Sequence, residues 1–122
     1  QLANARRAAS PLGALAVWIA AANAADPLAS LYKNTVVITD SKGQMGRTLM
    51  NADHTFATFQ PDGRVVKGTW RLERSQVCYT VTDPAQKPPM QACRPVAVHK
   101  VGDSWKVVQG GQTWTARLRA GR

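Results

Sequence analysis

The sequence predicts an all-β protein: a small antiparallel meander of about seven or eight strands closing into a barrel or sandwich, preceded by an apolar N-terminal helix. Three observations carry that expectation. Two-residue alternation is strongest between His54 and Thr82, where Val66, Gly68, Trp70 and Leu72 share one parity and Lys67, Thr69, Arg71 and Glu73 share the other. That is the pattern of a half-buried strand. A turn is written out in full at Gln60-Pro61-Asp62-Gly63, since proline presets φ, aspartate can bond the following backbone and glycine takes a positive φ without a clash. Finally, turn residues recur along the chain roughly every eight to twelve positions, the spacing of a meander.

The first segment sets the compartment. Arg6-Arg7 precede an apolar run from Leu12 through Trp18 and Ile19 to Ala22, and Asn23-Ala24-Ala25-Asp26-Pro27 follows. Basic residues, a short apolar core and small residues before a polar start are the parts of a secretory signal peptide. The run falls short of the roughly 20 residues that a bilayer-spanning helix needs, so no transmembrane span is expected. The domain boundary therefore falls between residues 1–25 and a single β domain over residues 26–122. Retention is the alternative for the first segment: an Ala-rich helix presenting Leu12, Leu15, Trp18 and Ile19 would need cover from this domain, another copy or a partner.

Residues 26–33 suit one amphipathic turn or a short helix, with Leu28, Leu31 and Tyr32 at helical spacing. Asn34-Thr35-Val36-Val37-Ile38-Thr39 is β-branched enough for a strand, and Asp40-Ser41-Lys42-Gly43 turns it. A short strand over residues 47–50 follows, then the hairpin around Asp62-Gly63. Arg74-Ser75 turns the chain into the strand that holds Val77, Tyr79 and Val81. Residues 83–90 carry Pro84, Pro88 and Pro89 and are a loop, because proline has no ladder donor. Alternation resumes over residues 92–101, and two more strands follow, around Trp105 and around Trp114, Ala116 and Leu118. Trp70, Trp105 and Trp114 fall on the inward parity. Core packing is the expected role for them, and an aromatic ligand pocket is the alternative.

The chain carries sixteen Lys and Arg against seven Asp and Glu, a formal net charge of +9. Glu73 is its one glutamate. So few carboxylates disfavour both the acid and base pair of a glycosidase and an oxygen-rich calcium or magnesium site. The excess of cations points to anionic partners, with Lys67 and Arg71 on one outward face and Arg117 and Arg119 on another. Because the tryptophans take the opposite parity, the stacking that single-stranded nucleic acid requires is missing from those faces, and nucleic acid is not an expected partner. An anionic envelope surface or a protein partner is.

Cys78 and Cys93 bracket the proline loop, each in an expected strand, and in an exported chain an even pair reads as a disulfide. Neither they nor His54 and His99 have the close spacing of the common zinc modules, so no metal and no cofactor is expected. Ser41, Ser75 and Ser104 stand at turns, where serine is favoured for backbone bonding alone, and no Gly-x-Ser-x-Gly elbow occurs. No residue is assigned a catalytic role, and the chain is expected not to be an enzyme.

Phe59-Gln60-Pro61-Asp62-Gly63, then Gly68-Thr69-Trp70, then Cys78 and Cys93 together resemble the small exported β-barrel domains of Gram-negative envelopes, and are loosely similar to compact periplasmic inhibitors of lysozymes or proteases. The resemblance implies a periplasmic or extracellular location and a β-barrel fold. Two functions are expected from the whole: a non-enzymatic structural or accessory interaction module of the envelope, or a soluble periplasmic inhibitor or ligand-binding module acting through its loops, chiefly residues 83–90.

Overall fold

The computed structural model describes residues 26–122, which form one sheet of eight antiparallel strands. These are β1 (Thr35–Thr39), β2 (Met45–Met50), β3 (Thr55–Phe59), β4 (Val65–Glu73), β5 (Gln76–Asp83), β6 (Gln91–Pro95), β7 (Ser104–Gln109) and β8 (Gln112–Arg119). The spatial order is β6-β5-β4-β3-β2-β1-β8-β7, so neighbours in sequence pair except β6 and β7, and β8 returns to lie beside β1. That return curls the sheet into a half-barrel.

The central hairpin is built as its residues dictate. Gly63 has φ +91°, its N–H donates to Gln60 O at 2.9 Å, and Asp62 Oδ1 accepts the Arg64 N–H at 3.0 Å. Thr55 to Phe59 then pair in order with Thr69 to Val65. At the next turn Arg74 takes φ +58°, which lets β4 fold straight back as β5.

Two expectations need correction. A closed barrel or sandwich would leave no free edge, but β6 and β7 stand at opposite ends of the strand order and do not pair. The alternation over residues 92–101 also ends early. β6 stops at Pro95, which has no N–H to extend a ladder, and Val96 N–H donates to Ser75 O at 2.8 Å, turning the chain across the end of the sheet. Residues 96–103 are thus a crossing segment and not a strand. The gap that remains is bridged by Arg94, whose Nη1 donates to Val108 O at 3.2 Å. Short edges bearing Pro95 and Lys106 are poor templates for unwanted strand pairing.

One end of the half-barrel is sealed. Leu28, which caps a 3-10 turn at Ala29–Leu31, and Leu31, which ends it, are buried in the same cluster as Met50, Phe56, Trp70 and Leu118. Burial of each leucine is worth roughly 1.5–3 kcal/mol. The turn is tied down by Asp26 Oδ1, which accepts the Leu28 N–H, and by the bond from Tyr32 Oη to Asp26 Oδ2. Arg122 fastens the same end through Asn34 O, Asn51 Oδ1 and Met50 O. The expected N-terminal helix lies outside the described residues.

Candidate functional site

With one end sealed and the sheet curled, the inward side chains face a common hollow. It measures about 980 Å³ and its rim is formed by residues of the four turns at the open end, among them Asp40, Gln60, Pro84 and Gly110. The half-barrel is therefore a cup. Strands of five or six residues give it a depth of roughly 15 Å.

The walls follow from strand parity. Val36 and Ile38 of β1 and Thr48 and Met50 of β2 face inward, as do Phe56 and Thr58 of β3, with Val36, Met50 and Phe56 belonging to the packed core beneath the hollow. Tyr79 and Val81 of β5 form the facing wall, Trp105, Val107 and Trp114 of β7 and β8 complete it, and Val77 and Ala116 join the packed core at its floor. Trp70 takes the same parity but lies at the sealed end, 3% exposed, where its Nε1–H is shared between Asn51 O and Thr55 O, both at 3.1 Å. The three tryptophans thus divide: Trp70 is core, while Trp105 and Trp114 are half-buried and line the cup.

Polar groups in this wall are few: Thr48, Thr58, the Tyr79 hydroxyl and Arg94 of β6, which stands opposite Val77 and donates to Val108 O. Thr48 and Thr58 face one another across β2 and β3 with their hydroxyls 2.9 Å apart. The Tyr79 ring packs edge-on against Phe56 at 5.2 Å, and burial raises the Tyr79 hydroxyl above its usual pKa, an effect that nearby Arg94 partly offsets. The rim, by contrast, is polar and carries charges of both signs, including the Asp62–Arg64 pair at 2.7 Å. An apolar well under a polar rim suits a guest with an apolar body and a polar end.

The loop of residues 83–90 contributes Pro84, Gln86 and Met90 to the cup, so the expected binding loop and the aromatic wall belong to one site. The disulfide holds the base of that loop. Cys78 and Cys93 are directly opposed on β5 and β6, with their Cα atoms 4.0 Å apart and the bridge formed.

The remaining residues named from the sequence lie elsewhere. Lys67, Arg71, Arg117 and Arg119 are exposed on the convex outer face, and Arg71 is engaged by Glu73. Leu12, Leu15, Trp18 and Ile19 lie outside the described residues. Neither histidine is a lone solvated ring. His54, at φ +70°, stacks on Trp70 at 4.1 Å, and His99 stacks on Trp105 at 3.5 Å with its Nδ1 3.8 Å from Asp103 Oδ2. His99 sits in the crossing segment, not in a strand.

From the sequence, a ligand pocket among the tryptophans stood only as the alternative to core packing. Val107, Tyr79 and Thr58 were readable as inward residues, but nothing in the alternation distinguishes a packed interior from a hollow one. Comparison of the chain with protein-family models, curated proteins and solved structures finds no match to any of them.

Proposed function

We propose that this chain is an exported, non-enzymatic ligand-binding module whose cup holds a single-chain amphipathic molecule, apolar body inward and polar end at the rim. One observation carries the reading: a hollow of about 980 Å³ whose wall is mainly aliphatic, aromatic and hydroxyl-bearing, with Arg94 of β6 as its charged member, and whose other charges gather at the mouth. Interiors of folded domains are normally filled to crystal-like density, so a hollow of this size and polarity is the form a small-molecule site takes. The Cys78–Cys93 bridge supports export, because disulfides persist in oxidising compartments. The expected action through residues 83–90 is retained, with those residues serving as one wall of the mouth.

The test is a titration with a dansyl-labelled undecanoic acid. Saturable binding of one probe per chain with a blue-shifted emission, lost in Val107→Asp while β-structure is retained, is the expected result. Absence of saturation, or probe binding indifferent to Val107→Asp, would refute the reading.

A further inference from the structure

The acidic residues of this protein are segregated from its sheet faces, and the reason is local. Asp26, Asp40, Asp53, Asp62 and Asp103 each accept a backbone N–H at a turn, at 2.8 to 3.1 Å. Asp83 closes β5, and Glu73 is taken by Arg71. Aspartate is favoured at turns for this bonding, so it is drawn to the ends of the half-barrel. The convex face of β2, β1, β8 and β7 is left with cations alone.

Register places those cations in rows. Arg47 and Arg117 flank Val37 directly, one strand to either side, so their Cα atoms stand roughly 10 Å apart. Arg119 lies beside Thr35 in the row below, and Lys106 extends from β7 beside Thr115 in the row above. Between them runs a shallow groove lined by Val37, Thr39, Met45, Arg117 and Arg119, with Met45 64% exposed. Phe59 is the outward-facing aromatic residue of the adjoining strand β3, and its ring is already covered by the Arg47 guanidinium at 4.0 Å.

We propose that this face docks on an anionic bilayer, with Arg47, Arg117, Arg119 and Lys106 meeting lipid phosphates and Met45 reaching between headgroups. Charge complementarity selects an anionic partner. An exposed apolar side chain among the cations suits a lipid surface. Single-stranded nucleic acid would need open aromatic platforms, and the ring nearest the strip is occupied by Arg47. This docking face is independent of the cup, lying on the opposite side of the same strands.

The test uses the full chain and phosphatidylcholine vesicles with and without phosphatidylglycerol, read by co-sedimentation. Binding is expected only with phosphatidylglycerol and is expected to weaken as salt rises. Each cation removed from the strip should weaken it about fivefold, so Arg117→Gln with Arg119→Gln should weaken it about twenty-five-fold. Lys33→Gln with Lys42→Gln, an equal charge change elsewhere, should leave it nearly unchanged. A second measurement needs no variant: phosphatidylglycerol vesicles should protect Lys106 from acetylation more than Lys33 or Lys42. Equal losses in both double variants, equal protection of all three lysines, or binding to single-stranded DNA with indifference to the vesicles would overturn the proposal.

Discussion

Phe56 lies directly across from Gly68, and the phenyl ring covers the glycine. A Cβ added at Gly68 would stand 2.9 Å from Phe56 Cε1 and 1.9 Å from Thr80 O. Both contacts are on the wall side of the central hairpin, where β4 and β5 change register between Lys67 and Gly68. The glycine therefore lets the strands approach while the ring fills the space it leaves.

Gly68→Ala is accordingly expected to destabilise the fold by about 1–3 kcal/mol through overpacking, measured by urea denaturation. Gly63→Ala is the contrast: nothing lies within 4 Å of its Cβ, and only the positive φ is penalised, at about 1–2 kcal/mol. If Gly68→Ala proved the milder of the two, the close packing of Phe56 on β4 would be wrong.

The bridge between β5 and β6 closes a loop of sequence separation 15, which the chain-entropy treatment values at roughly 3 kcal/mol. Replacing Cys78 and Cys93 by serine should lower the melting temperature by roughly 12–24 °C for a domain of this size. Because Cys78 is 2% exposed, the new hydroxyl adds a further penalty at that position. Thiol titration of the denatured, unreduced chain should find none, and two thiols would contradict the bridge.

Stability should fall at both extremes of pH, for different groups. Asp53 is held below the usual carboxylate pKa chiefly by the Thr55 hydroxyl, and Asp62 by the Arg64 N–H. Their contribution is present above the ordinary carboxylate value and is lost as pH drops through the depressed one. Asp53→Asn with Asp62→Asn should flatten that acid limb. Tyr79 works in the other direction, since burial raises its pKa above 10.0. The folded state keeps its proton where the unfolded chain loses it, so stability is unaffected below about pH 10 and declines above it. Tyr79→Phe should reduce the alkaline slope, and an unchanged slope would mean that the hydroxyl is hydrated.

Much of the architecture was legible because it is local. Asp62-Gly63 specifies a turn, Trp70 and Val66 specify a face, and Pro84, Pro88 and Pro89 forbid a strand. These need only backbone chemistry and period-two patterning. The open side was not legible, because it depends on Val96 bonding Ser75 and Arg94 reaching Val108, contacts made at a distance along the chain. The stacking of His99 on Trp105 belongs to the same class. The cup is harder still to read, since the same inward valines and tryptophans would serve a filled core. The outward cations were visible, but their rows required register: only the pairing of Val37 with both Arg47 and Arg117 joins residues far apart in sequence into one strip.

The central claim, that the hollow holds an apolar chain, is tested most directly by tryptophan quenching with a brominated fatty acid. Trp105 and Trp114 line the cup, whereas Trp70 is sealed beneath it. The chain retaining Trp105 and Trp114, with Trp18 and Trp70 replaced by phenylalanine, should be quenched saturably at one acid per chain. A chain retaining Trp70 alone should be quenched far less. Equal quenching of the two chains, or quenching that never saturates, would contradict a guest bound within the cup.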